Sequence, residues 1–228
     1  MQSVSDTPST DQTAPPAVRV VIPTREPGAW FDDVITSLAD QDYPNLSISL
    51  VHDEGERALL KRHRESIEAL DLVEAGAKSG FGAKVNAVAE AASEPLLLIH
   101  HDDVAMEPGT VSALVREWLR RKEPRSLVAA KLVDWSDHGR LMPAGFDADR
   151  FGTTAPIVRP GDLDQGQQDR VTDIFGTSTA CVLIDREFFV SIGGFDTAVD
   201  WHGEAFDLAL RIRSVGCLLY TSPSPRDS

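Results

Sequence analysis

The apolar positions of this chain follow two rhythms that take turns. Residues 18–24 (VRVVIPT) form a short apolar run with Pro23 near its end, which predicts a buried strand. Trp30, Val34, Ile35 and Leu38 then recur at helical spacing and predict a helix over 30–40. A second strand is predicted over 46–51, a charged amphipathic helix over 56–70, and a short strand over 72–74. The glycine-bearing turn SGFGA at 79–83 opens a helix over 83–92. Residues 95–99 carry the run LLLI, typical of a strand covered on both faces. Pro108 starts a helix to 121, with Val111, Leu114, Val115, Trp118 and Leu119 on one stripe. This alternation predicts an α/β fold: an open, mostly parallel, Rossmann-like sheet with helices on both faces. Ligands of such sheets bind outside the carboxyl ends of the strands. Asp53 and the run His100, His101, Asp102, Asp103 both fall at such ends.

Beyond residue 125 the texture changes. Strands are predicted over 127–133, 141–146, 171–175 and 179–184, and a long Gly-, Asp- and Gln-rich loop over 147–169. A loop of that length is usually functional or disordered. Asp185 is placed to cap a short helix to 192, Gly193 and Gly194 break the chain, and a last helix over 204–215 stops at Gly216. No internal repeat is visible. Residues 1–17 are polar and read as a disordered lead-in. The string CLLYTSPSPRD at 217–227 resembles the in-frame translation of a transposase sequencing adapter. Residues 217–228 are therefore expected to be a non-native tail, the natural sequence being cut at its C-terminal side and running on past Gly216.

Composition narrows the function. The chain has 228 residues, 42% hydrophobic and 25% charged, enough for one sizeable core. Lys and Arg number 22 against 36 Asp and Glu, a net charge of −14. That balance argues against nucleic acid as a partner and against an anionic membrane surface, since both need clustered basic residues. No apolar run is long enough to span a bilayer, and residues 1–17 lack the apolar region of a secretory signal. Two cysteines, Cys181 and Cys217, fit a reducing compartment.

The chemical signal is acidic residues at strand ends. Asp102 and Asp103, after a buried strand and before a helix, can hold a hard divalent cation that grips a diphosphate; the bland alternative is an acidic loop favoured by the helix dipole. His100 and His101 could add imidazole ligands or only hydrogen-bond locally. Gly80 and Gly82 could cradle a phosphate or form a plain tight turn. Glu204 could serve as a general base, and Asp207, four residues before Arg211, has a structural ion pair as its plain reading. No G-x-G-x-x-G follows the first strand, and neither a P-loop nor a G-x-S-x-G elbow is present, which argues against the corresponding oxidoreductases, nucleotidases and hydrolases.

Taken in order, VRVVIPTRE at 18–26, LVHDEG at 50–55, GFGAKVNA at 80–87, LLLIHHDDVAMEPG at 96–109, GGFD at 193–196 and GEAFDLALR at 203–211 resemble a family-2 glycosyltransferase with the GT-A fold. HDDV, DRFG at 149–152 and GDLDQGQQD at 161–169 are similar to large glycosyltransferase-like proteins of actinobacteria. The resemblance implies one domain over 18–216, with a nucleotide-binding part at 18–125 and an acceptor-side part at 126–216. It implies that Pro23, Thr24 and Glu26 contact the nucleoside and that Asp53 hydrogen-bonds the base. Gly82, Lys84, Asn86 and Asp103 fall on the nucleotide-sugar side. Asp102 matches the last acid of the D-x-D motif and would bind Mn2+ or Mg2+, with His100 where the first acid would stand. The family's catalytic pair is Glu-Asp. Here Glu204 matches the first acid and Ala205 occupies the base position, leaving Glu204 or Asp207 to act.

The implied activity is inverting, metal-assisted transfer of a sugar from a nucleotide-diphosphate donor to a glycan or lipid-linked acceptor. The implied setting is cell-wall or surface polysaccharide synthesis, in the cytoplasm or at the inner face of the cell membrane, any membrane association coming through sequence beyond this chain. Ala205 also motivates a non-catalytic nucleotide-sugar-binding domain. A nucleotidyltransferase of similar fold ranks last, because REPG after the first strand supplies only one Arg and one Gly.

Overall fold

The first strand sets the frame. In β1 (Val18–Pro23), Val18, Val20 and Ile22 point to one face of a sheet while Val21 points to the other. A computed structural model of the protein describes residues 14–25, 27–54, 60, 67, 69–76, 79–121, 125–143, 145–199 and 203–221. The same period of two runs through β2 (Leu46–His52), β4 (Leu96–His100) and β12 (Cys181–Asp185), so each of these strands feeds two apolar layers. Over one face lie α1 (Phe31–Ala39) and α3 (Thr110–Arg120), which bury Phe31, Val34, Ile35, Leu38, Val111, Leu114 and Val115. Over the other lie α2 (Phe81–Ala91), α4 (Arg186–Ser191) and α5 (Glu204–Ser214), with Val85, Val88, Phe188, Phe189, Leu208 and Ile212. Each such leucine or valine contributes about 1.5–3 kcal/mol by leaving water.

The sheet has eight strands in the order β10-β13-β5-β12-β4-β1-β2-β3, where β3 is Leu70–Glu74, β5 Leu127–Ala129, β10 Asp173–Ile174 and β13 Leu219–Thr221. All but β10 and β12 run the same way, so the mostly parallel α/β sheet expected from the pattern is present. The strand order reverses at β1, with β2 on one side and β4 on the other, which opens a crevice at their carboxyl ends.

Several expectations change. The run predicted as one strand over 127–133 is two: β5 joins the main sheet, while β6 (Leu132–Val133) turns away to pair with β7 (Leu141–Met142). The predicted loop over 147–169 is ordered. It contains the end of β8 (Gly145–Ala148) and β9 (Thr154–Pro156), which with β11 (Gly176–Thr177) form a three-stranded sheet. The Asp149 carboxylate accepts from the backbone N–H groups of Phe151 and Thr153, and Lys131 Nζ reaches Asp164 at 2.7 Å and Asp169 at 2.5 Å. Side chain to backbone bonds and ion pairs do here what apolar periodicity does elsewhere.

The ordered chain also extends past both expected ends. Asn45 donates to the Pro15 carbonyl. After Gly216, in the left-handed region at φ 79°, Cys217 is buried and β13 pairs with β5 and β10. Sheet pairing therefore does not stop at residue 216. The helix expected over 56–70 lies mainly outside the described residues, although Leu60 and Ile67 are buried in the core. Asp185 caps α4 as expected, its carboxylate accepting from Phe188 N at 2.7 Å. Among the described residues no helix is long and apolar enough to cross a membrane.

Candidate active site

The crevice beside β1 is built from the ends of three parallel strands. Pro23 and Thr24 close β1, and Thr24 N donates to Val51 O, which ties the loop after β1 to β2. Asp53 follows β2. Lys84 reaches up from the first turns of α2, almost wholly buried. Its ammonium sits 2.9 Å from Asp53 Oδ1 and donates to the Thr24 carbonyl at 2.8 Å. Across from them the loop after β4 brings Asp102 near the Thr24 side chain and the Arg25 backbone, the two groups that favour its charged form. Burial pushes the Asp102 carboxyl up, and Asp103 beside it adds repulsion. Asp103 is exposed, and its carbonyl accepts from Trp135 Nε1 at 2.8 Å.

His101 joins this group to the second half of the chain. Its Nε2 lies 3.0 Å from Thr179 Oγ1 and its Nδ1 3.9 Å from Asp103 Oδ1, and its ring packs edge-on against Phe81. Burial lowers its pKa, while the negative charges of Asp103, Asp102 and Glu204 pull the other way. Glu204 is the first residue of α5, and its Oε2 is shut off from solvent with no hydrogen-bond partner among the described residues. A carboxylate oxygen buried without a donor is costly in a resting fold.

Five sequence-based assignments need restating. His100 does not face the crevice. It is fully buried in β4 opposite Cys181, both ring nitrogens are closed to solvent, and burial drops its pKa to about 3. A neutral imidazole inside the sheet offers no atom to an ion bound by Asp102. Lys84, placed by the sequence on the nucleotide-sugar side, is a buttress under Asp53 and Thr24. Asn86 is consumed by the backbone of the 193–196 loop: its Nδ2 donates to Phe195 O and its Oδ1 accepts from Phe195 N, each at 2.8 Å. Gly82 lies inside α2, where a Cβ would stand 2.7 Å from Phe195 Cβ; it permits close packing and forms no phosphate turn. Asp207 is bound by Arg211 through Nε at 2.9 Å and a terminal nitrogen at 2.6 Å, and Arg211 also donates to Ile192 O. That pair fastens α5 to the loop after α4 and leaves Glu204 as the carboxylate turned toward His101. Glu26 lies outside the described residues.

Pro23, Thr24, Asp53, Asp102, Asp103 and Glu204 thus share one edge of the sheet. His101, to which the sequence assigned no definite role, proves to be the link between them. Its position directly before two aspartates at a strand end was the available signal. Two adjacent carboxylates on one loop fit a hard divalent ion that completes its shell with water and phosphate oxygens. No cluster of three or more metal-binding side chains occurs among the described residues.

The profile of the family described as Glycosyltransferase like family 2 matches residues 15–225. O-antigen biosynthesis protein RfbC of Myxococcus xanthus is 25% identical over 210 residues, which cover 88% of this chain but 16% of that protein. The mannosyltransferase PcManGT from Pyrobaculum calidifontis, solved with GDP-Man and Mn2+, superposes with a TM-score of 0.66 at 18% identity, covering 91% of this chain and 55% of that one. GalNAc-T7, solved with UDP, GalNAc and Mn2+, gives 0.71 at 16% identity over 91% of this chain and 42% of that one. The fold is that of GT-A enzymes, and the chain spans only part of the length of these relatives.

Proposed function

The chain belongs to the glycosyltransferase-like family 2, and from that premise we propose that it transfers a sugar from a nucleotide-diphosphate donor to an acceptor hydroxyl with inversion. The observation that carries the reading is the meeting of Asp102, Thr24 and Asp53 at the strand-order reversal beside β1. The nucleoside lies along Thr24 and Asp53, the latter held by Lys84. Asp102 and Asp103 would hold a divalent ion, Mn2+ or Mg2+, which would supply charge neutralisation on the leaving diphosphate. Glu204 takes the proton of the acceptor hydroxyl as the new oxygen–anomeric carbon bond forms and the bond to the diphosphate breaks. General-base help of this kind contributes about 10²–10⁴ in rate. The setting we assign is surface or cell-wall polysaccharide synthesis, a reading supported by the O-antigen relative. On this reading the reaction runs in the cytoplasm, at the inner membrane face for a lipid-linked acceptor.

Calorimetry with Mn2+ and a panel of nucleotide sugars tests the reading. Metal-dependent donor binding is expected for the native chain and at least tenfold weaker binding for Asp102→Ala. Equal binding by both would remove Asp102 from the site. Ala205, where the family carries an aspartate, favours a second reading as a donor-binding domain without turnover. Under it the native chain binds donor but neither hydrolyses nor transfers, and Ala205→Asp gains activity.

A further inference from the structure

A cavity of about 1090 Å³ opens beside the loop after β4. His101 and Asp103 stand at its inner end. Its walls come from Met106 and Leu114 below and from Leu132, Met142 and Trp135 of the β6–β7 hairpin. The hairpin is pinned to the reaction loop through the Trp135–Asp103 hydrogen bond. On another side the strap carrying Asp164 and Asp169 is held in place by the nearly buried Lys131. The volume lies at the upper end of the range of about 300–1,000 Å³ usual for small-molecule sites. Its chemistry is wrong for a bare sugar: hydroxyls pressed against methionine and leucine lose their water partners and gain none.

Resting on the glycosyl-transfer reading, we propose that this cavity receives the acceptor, and that the acceptor is a glycoside carrying an apolar group. The polar sugar sits beside His101 and Asp103, next to the loop that carries Asp102. The apolar aglycone lies along Met106, Leu132 and Met142. Continuity with the reaction loop distinguishes this cavity from a general sticky patch: His101 and Asp103, the residues on either side of Asp102, both line it.

The test uses calorimetry on the chain with n-octyl β-D-glucoside below its micelle concentration, phenyl β-D-glucoside and methyl β-D-glucoside. Saturable binding of the octyl or the phenyl compound is expected, with the methyl compound at least tenfold weaker. Octyl preference identifies an aliphatic chain, and phenyl preference an aromatic aglycone. Met142→Glu, at a partly exposed position, is expected to weaken that binding at least tenfold. If it unfolds, Val133→Glu, 37% exposed on the same hairpin, is read in its place. Equal binding of all three glycosides, or an unaltered affinity in the folded variant, overturns the proposal. Binding of none does so too, and is the result expected if another segment of chain or a second copy fills the cavity. Parallel titrations with UDP and GDP in the presence of Mn2+ keep the two ideas apart. Nucleotide binding without alkyl or aryl selectivity sinks the cavity proposal alone. Selectivity without nucleotide binding sinks the transferase reading.

Discussion

Lys84 Nζ lies 2.9 Å from Asp53 Oδ1 although the two residues come from different elements, and the same ammonium holds the Thr24 carbonyl. One buried cation therefore fixes the ends of β1 and β2 at the separation a nucleoside would meet. Lys84→Met removes the buried cation and leaves Asp53 with the more distant, exposed Arg25 at 4.0 Å. The expected loss is about 3 kcal/mol, the low end for breaking a buried pair because Asp53 is near solvent. Urea unfolding reads that loss, and donor affinity should fall at least tenfold with it. A variant that loses affinity at full stability would mean that Lys84 touches the donor directly.

Glu204 and Asp207 sit on one helix turn but have separate tasks. Glu204→Gln should lower kcat by about 10²–10⁴ with donor binding kept, because the amide cannot accept the proton. Asp207→Asn should instead weaken the grip of Arg211 on the helix, shifting the unfolding midpoint with little change in kcat. Steady-state rates and thermal melts on both variants separate the roles, and a reversed pattern would exchange them.

Arg19 and Glu94 give the fold an acid limit. Burial alone would raise the Glu94 pKa, but Arg19, 2.6 Å away, and hydrogen bonds from Ser47 and the backbone carry it below the usual carboxylate range. A depressed acid stabilises the fold above its unfolded pKa, and that contribution fades as pH falls toward the lower folded value. Melting temperature should drop over this window in the native chain and drop less in Glu94→Gln. Superimposable pH profiles would show that the pair contributes nothing.

Lys131 gives the opposite sign. Burial pushes its ammonium down, but Asp164 and Asp169 more than offset this and raise it above the ordinary lysine value. The strap should stay fastened below that value and loosen as pH rises through the higher folded pKa. Hydrogen exchange over 161–169 should be faster in Lys131→Met at neutral pH, with β4 unaffected. Equal protection in the variant would mean that the strap holds without its cation.

The main sheet and its helices were legible because their cause is apolar periodicity. LLLI at 96–99 and the stripe on α3 each report burial directly. The small sheet around β8, β9 and β11 and the strap beside it were not, because Asp149 shapes the β8–β9 turn and Asp164 and Asp169 fasten the strap to Lys131 through polar bonds that look like loop composition in a sequence. The candidate site divides in the same way. Asp53 and Asp102 were readable as acids at strand ends. Lys84 and Asn86 stood out as polar residues of α2, but spacing does not say whether a polar side chain ends on solvent or on the chain's own backbone, as these two do. His100 and His101 are adjacent in sequence, and only the strand's alternation, which turns successive side chains to opposite faces, decides that one is inside the sheet and the other beside the acids.

The reversed course of β12 makes the protein indivisible. Residues 18–125 look like a self-contained half, yet β12 lies between β4 and β5 and covers the edge of β4 from Leu96 to His100. Cut after residue 125, that edge would present five buried positions and unpaired backbone groups to water, a template for self-association. An isolated nucleotide-binding half should therefore precipitate rather than bind nucleotide, and any split or fusion of this protein has to keep β4 and β12 in one piece.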